Sequence, residues 1–216
     1  MGNLDFKKRD KAQYSGKQGR WDRLDVPPIT YIATSGQGDP DQPGFARSVA
    51  ALYPLAYGIR AICKARGAAF TVPPMAALWS AGDPSAFTSD NRTAWQWTAM
   101  LRLPEGIDQL MLETVRANAL KKLARKKDPG TDADAMNAVA LKHLTEGDCL
   151  QTLHIGPFMD EAPILADLHD CLMPEQGVTF NGRHHEIYLG DPRRVAPEKL
   201  KTILRQPVRP TQAPIA

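Results

Sequence analysis

A chain of 216 residues that is 43% hydrophobic and 24% charged can bury one sizeable core or two small ones, and is too apolar for global disorder. Its net charge of +3 does not by itself argue for nucleic acid, and three scattered cysteines, Cys63, Cys149 and Cys171, form neither a disulfide framework nor a zinc pair. No apolar run approaches the roughly 20 residues of a membrane span, and the start, MGNLDFKKRD, lacks the apolar segment of a secretory signal.

Residues 1–28 are polar and basic (Lys7, Lys8, Arg9, Lys11, Lys17, Arg20, Arg23) and end in Val26-Pro27-Pro28, which reads as a lead-in, not a domain. Ile29 to Ser35 is β-branched and aromatic, hence a strand, broken by Gly36 to Pro40. From Phe45 to about Arg66 the apolar positions Phe45, Val49, Leu52, Ala56, Ile59 and Cys63 follow helical spacing, with Pro54 expected to bend or interrupt the helix and Tyr53 and Tyr57 on one flank. Ala69–Val72 and Leu78–Ala81 read as short strands around Pro73-Pro74, and 82–91 as a loop. Trp95 to Leu103 alternates as a strand; Ile107, Leu110, Met111 and Val115 begin an amphipathic helix running to about Lys127, whose basic end (Lys121, Lys122, Arg125, Lys126, Lys127) complements the helix dipole. Asp128–Asp134, with Pro129-Gly130, is a linker.

The second half repeats the order. Cys149–Ile155 is a strand broken by Gly156-Pro157, and Glu161–Leu172 is a helix with Pro163 in its first turn. His184–Leu189 is a strand, 197–202 a helical turn, 203–208 a last strand, and 211–216 a loose tail. The pattern predicts an α+β fold of duplicated β-α-β-β units. They would form one antiparallel sheet, with two long helices on one face and a concave ligand cleft on the open one. The domain would span 29–210, with halves of about 29–127 and 141–210.

The stretch HHEIYLGDPRR carries most of the chemistry. Strand alternation puts His184, Glu186 and Tyr188 on one face and His185, Ile187 and Leu189 on the other, where the apolar pair points to a core. Glu186 then either lines a cavity or sits on a wet strand face. HHEIYLGDPRR with APEKLKTILRQPV, LHIGPFMDEAPI, WQWTAM and YIATSGQGDPD resemble, in order and over nearly the whole chain, the GyrI-like small-molecule-binding family, above all its stand-alone members. The resemblance implies two β-α-β-β units around a central cleft and ligands that are flat, apolar or cationic. Some stand-alone relatives hydrolyse cyclopropane-bearing DNA alkylators of the yatakemycin type. The family's strand carboxylate matches Glu186, its WQWT aromatic pair Trp95 and Trp97, and the tryptophan after the double proline Trp79. Two departures bear on hydrolysis. Met75-Ala76-Ala77-Leu78-Trp79 lacks the glutamate usual there, and Phe158 replaces the tyrosine of a Gly-Pro-Tyr turn.

From these residues the expected catalytic groups are Glu186, as general base, and Tyr188, as phenol donor. Trp79, Trp95, Trp97, Tyr53, Tyr57, Phe158 and His184 are the expected ligand-binding groups. Tyr31 is a further phenol; Asp160 and Glu161 read as helix caps, with Glu161 able to reach the cleft mouth. His143, His154 and His169 are scattered and His184-His185 diverge, so no metal is expected, and no cofactor, since nucleotide and serine-hydrolase motifs are missing. The expected partner is a flat aromatic or cationic small molecule, with no direct nucleic acid and no membrane, the chain being a cytoplasmic monomer or weak dimer. The function would be capture of such compounds with hydrolysis of cyclopropanoid genotoxins. The alternatives are a non-catalytic drug-sequestering or sensing module, or a gyrase-modulating interaction protein that uses the basic first segment.

Overall fold

A computed structural model describes residues 2–81, 91–125 and 133–211. The loop expected over 82–90, Lys126 and Lys127, Pro129-Gly130 and the tail from 212 lie outside the described residues. The fold is α+β, and the chain forms two compact units, one of Met1–Lys11 with Pro28–Leu144, the other of Ala12–Pro27 with Thr145–Ala216. All strand pairs within each unit are antiparallel.

The first 28 residues are more than a lead-in. Asp5 caps a short helix, α1 (Phe6–Arg9), by accepting from the Lys7 amide, and this buries Phe6 against Phe70 in an edge-on ring contact at 6.3 Å. The Arg102 guanidinium covers the other side of Phe6 at 4.5 Å and pairs with Asp10 at 2.7 Å. After a turn at Lys11–Tyr14, β1 (Asp22–Val26) joins the second unit's sheet. Arg9, Arg20 and Arg23 of the basic segment are ion-paired to Asp10, Asp22 and Asp148.

In the first unit β2 (Ile29–Gln37) leads to α2 (Pro43–Ala65), which starts on a proline and buries Leu52, Leu55, Ala56, Ile59 and Cys63. Pro54 lies inside α2 without ending it. The expected strand at 69–72 reduces to a single bridge, Phe70 to Leu4. β3 (Ala76–Ala81), β4 (Trp95–Arg102), α3 (Gln109–Arg125), α4 (Ala133–Asn137) and β5 (Ala140–Leu144) complete the unit, with strand order β5-β2-β4-β3. β4 is buried along most of its length, packs against α2, and at its end places Arg102 over Phe6. α3 packs on α2 where Gly58 leaves room for Val115: a Cβ there would sit 2.3 Å from Val115 Cγ1.

In the second unit β6 (Gly147–Ile155) is followed by a helical run over 158–175. The run is not the uniform helix expected: a 3₁₀ turn (Phe158–Glu161), α5 (Ala162–Asp167), a π-helical turn (Leu168–Leu172) and α6 (Met173–Glu175) succeed one another. β7 (Val178–Phe180), β8 (His184–Tyr188) and β9 (Lys201–Pro210) follow, in the order β1-β6-β9-β8 with β7 on the far end of β9. Leu150, Leu168, Met173, Val178 and Val208 form its core, with Trp21, Leu165 and Leu172 packed around them. Among the described residues no helix is long and apolar enough to cross a membrane.

Candidate functional site

Register fixes what each face of β8 sees. Glu186 pairs with Leu204 and Tyr188 with Thr202, and these share parity with Leu150 and Val208 of the core under the helical run. Glu186, Tyr188 and His184 therefore lie on the helix-bearing face, not on the open face expected. His185 and Ile187 point the other way, and that side is not simple core either.

The side chains on the helix-bearing face converge through one turn. At the end of β6, Gly156 takes φ +145°, a conformation closed to other residues, and its amide bonds to the Leu200 carbonyl at 3.1 Å. The His154 ring donates from Nε2 to the Pro157 carbonyl at 2.9 Å, which locks the turn and fixes the tautomer. The 3₁₀ turn that follows sets Phe158 edge-on to Tyr188, ring centres 5.6 Å apart, and swings Glu161 inward.

Glu161 is the residue that the sequence reading undervalued. It occupies the cap position before α5 but makes no capping hydrogen bond, and it is only 5% exposed. Its Oε1 is buried without a hydrogen-bond partner. Burial, and next the nearby charge of Glu186, push the Glu161 carboxyl well above the ordinary carboxylate range. The Thr202 hydroxyl lies near enough to favour the charged form slightly, though outside hydrogen-bond geometry. The face thus holds two carboxyls of which one keeps its proton at neutral pH. Glu186 is neither in bulk water nor sealed: its side chain is 13% exposed, and His184 Nε2 stands 3.7 Å from its Oε1. Burial, followed by the neighbouring His169 and His185, pushes His184 down to about 3, so its ring is neutral.

The opposite face carries a buried network that nothing in the strand pattern announced. Glu146 bonds His185 Nδ1 at 2.8 Å and Arg205 Nη1 at 2.9 Å; Arg205 also reaches the Gln151 side chain and the Gln13 carbonyl. Burial opposes the charge on Glu146, but His185 and Arg205 outweigh it and hold the carboxyl at about 2. Gln151 in turn donates to the carbonyls of Ala12 and Ser15, which ties the N-terminal segment to the sheet. Arg205 next to the apolar pair Ile203-Leu204 of β9 was the available signal.

The remaining predicted residues belong to the first unit. Trp79, Trp97 and Phe45 pack together, with ring centres 5.4 Å (Phe45–Trp79) and 5.2 Å (Phe45–Trp97) apart. Trp97 is 4% exposed and lies against Gly36, where a Cβ would come within 2.3 Å of the indole; this ring serves packing, not an open platform. Trp95, half-buried, stands edge-on to Trp79 at 5.8 Å and carries the Arg92 guanidinium at 5.3 Å, so one of its faces is already occupied. Trp95 and Trp97, both expected as ligand-binding groups, differ in exposure, since burial deepens along β4 from Trp95 inward. Tyr53 and Tyr57 stack at 6.4 Å on α2, Tyr57 being 55% exposed, and Tyr31 is buried in β2. Ala76 and Ala77 are buried in β3, so no carboxylate replaces the missing glutamate there. Among the described residues no cluster of three His, Cys, Asp or Glu has metal-binding geometry.

Solved structures similar to this one come first from Listeria innocua. An uncharacterized conserved protein superposes with TM-score 0.83 at 35% identity, covering 96% of this chain and 100% of its own. Two structures described as hydrolases match at 34% and 36% identity with TM-scores of 0.79 and 0.80 over the same shares. The C-terminal domain of EcmrR shares the fold alone, at 9% identity, TM-score 0.52, and 89% and 98% of the two chains. Comparison with curated proteins gives no match. Over residues 24–209 the sequence matches the GyrI-like small molecule binding domain, and the chain belongs to that family.

Proposed function

We propose that this protein captures flat aromatic or cationic small molecules at Glu186, and that it hydrolyses electrophilic cyclopropanes among them. What supports this is Glu161, 5% exposed with Oε1 buried and without a hydrogen-bond partner, which burial and the charge of Glu186 push toward its protonated form. A protonated carboxyl and a charged one supply a general acid and a general base at one pH. Two similar structures described as hydrolases support the same direction.

In a cyclopropane fused to a dienone, water attacks the ring methylene while Glu186 takes its proton. The strained carbon–carbon bond breaks, and its electron pair moves through the ring to the carbonyl oxygen. Glu161 gives that oxygen its proton, with Tyr188 donating a hydrogen bond, so the net change is addition of one water. Glu161 fills the part that the family glutamate missing at Ala76-Ala77 would play, and the Phe158–Tyr188 edge offers an aromatic wall.

Incubation with a cyclopropane-fused dienone, followed by its chromophore, tests this. Repeated turnover is expected, with kcat lowered about 100-fold or more in Glu186→Gln. The loss of the glutamate at Ala76-Ala77 favours a second reading, that the protein only sequesters or senses its ligand. Stoichiometric protection without turnover would select that reading, and turnover unchanged in Glu186→Gln would remove Glu186 from the chemistry.

A further inference from the structure

In the first unit, β2 is covered along one edge over only part of its length. On one side it pairs with β4 from Tyr31 to Gln37; on the other, β5 reaches only Ile29 to Ala33. Two backbone bonds fix which residues face which side. Leu103 donates to the Thr30 carbonyl and Gly38 to the Trp95 carbonyl, both at 2.8 Å, so the even-numbered positions bond toward β4. A strand residue sends its N–H and C=O to the same side, and the side alternates along the chain. Ser35 and Gln37 therefore turn their backbone groups away from β4, beyond the point where β5 begins, and both residues are exposed. The chain that could have covered them is committed elsewhere: Ala138 donates to the Asp134 carbonyl at 2.9 Å and closes α4.

Natural sheets protect a bare edge with a lysine, a proline, a bulge or a covering element. The stretch Thr34-Ser35-Gly36-Gln37 carries no charge and no proline. Beside it lies an open hollow of about 380 Å³, lined by Ala33, Ser35, Thr98, Ala138, Ala140 and Lys142 among others. The Ser35 and Thr98 hydroxyls bond each other across it at 2.7 Å. Lys142 is half-buried there and has no ion pair among the described residues.

We propose that the Ser35–Gln37 edge of β2 takes up an extended, acidic peptide segment as an added strand, with a glutamate of that segment reaching Lys142 through the hollow. A segment antiparallel to β2 and in line with β5 makes reciprocal backbone hydrogen bonds at Ser35 and at Gln37, about 7 Å apart. A main chain repeats a donor and an acceptor at that spacing, and neither a nucleic acid backbone nor a small aromatic ligand does. Directly opposed residues point to the same face. Ala33 opposes Ala140, and Lys142 is two positions on, so the partner residue opposite Ser35 shares their face. It stands about 14 Å from Lys142 along the strand line, a gap that extended lysine and glutamate side chains close together. Ala33 and Ala140 are small enough to leave the way between them open. None of the Glu186 groups takes part, so peptide pairing and hydrolysis are separate properties of the chain.

Amide-resolved NMR titration of the full chain with acetyl-Val-Thr-Val-Glu-amide tests this. The Ser35 and Gln37 amides should move together and saturate. Methylating the threonine and glutamate nitrogens of the peptide removes two donors and should weaken binding about tenfold. Lys142→Gln should weaken the glutamate peptide about threefold and leave its glutamine counterpart unchanged. Ser35→Pro removes an outward N–H without touching a bond to β4, and should abolish the shift at Gln37; Gln37→Pro, read at Ser35, serves if Ser35→Pro fails to fold. Equal binding of the plain and methylated peptides, or no shift at either amide, would overturn the pairing. So would a concentration-dependent dimer in sedimentation that Ser35→Pro dissociates and the peptide does not, because a second copy would then hold the edge.

Discussion

Glu146 and Glu161 lie in the same unit at nearly the same depth, 3% and 5% exposed, and burial works against the charge of both, yet their carboxyls end on opposite sides of the ordinary range. On the His185 face of β8, every oxygen of Glu146 meets a cationic or imidazole partner, and the charge is stable inside the protein. On the Glu186 face, Glu161 has a like charge for a neighbour and an orphaned oxygen. Depth alone therefore does not decide the state of a buried acid; its neighbours do. The first face is built for stability, with its own carboxylate neutralised. The second keeps unspent hydrogen-bonding capacity, which is what a ligand needs.

The largest effect should come from breaking the satisfied side. Glu146→Gln leaves Arg205 buried and without its counter-charge, and should cost about 3–5 kcal/mol in urea unfolding. Glu161→Gln replaces a carboxyl that is already neutral in the folded state, so it should cost little or add stability at pH 8. If both substitutions cost the same, the contrast between the faces is wrong.

The pH dependence sharpens this further. The folded pKa of Glu146 is depressed from an ordinary 4.5 to about 2, so its contribution is present above 4.5 and lost as pH falls from there toward 2. The folded pKa of Glu161 is raised, so the folded state keeps a proton that the unfolded state gives up. Stability is then greatest below 4.5 and erodes as pH rises above it. Each group changes stability by at most about 1.4 kcal/mol per pH unit. Denaturation midpoints measured across pH should lose their acid limb in Glu146→Gln and flatten on the alkaline side in Glu161→Gln.

Only the split of β8 into two faces was legible in the sequence, and the part of this contrast that was not has a physical cause. Alternation in HHEIY gave β8 and the split between Glu186 and His185, because side-chain period two is local information. It did not say which face the helices cover, since that depends on register with β9 and β6, a long-range fact. Glu161 looked like a cap because an acid before Ala-Pro is the usual cap signal; the turn forced by Gly156 rotated it inward instead. Glu146, Gln151 and Arg205 are far apart in the chain and meet only once β6, β8 and β9 pair, so no spacing rule links them. β1 escaped notice because its DRLDV pattern is charged on one face, as expected of an edge strand, and reads as loop. Among the tryptophans, periodicity placed Trp95 and Trp97 on one side but carried nothing about the burial gradient along β4.

The most local change comes from loosening only the turn that sets the Glu161 face. Gly156→Ala forces a side chain onto φ +145° and places its Cβ 3.2 Å from the His154 ring, which must give way. Strain of this kind costs about 1–3 kcal/mol. The His154–Pro157 bond should weaken and the Phe158–Glu161 turn should drift from β8, while Glu146, His185 and Arg205 behind the strand keep their contacts. Glu161 would then gain water and its carboxyl would fall toward the ordinary range, so the alkaline decline in stability should shrink while the acid limb stays. A Gly156→Ala protein with both limbs intact would mean that the inward position of Glu161 is held by the helical run after it and not by this glycine.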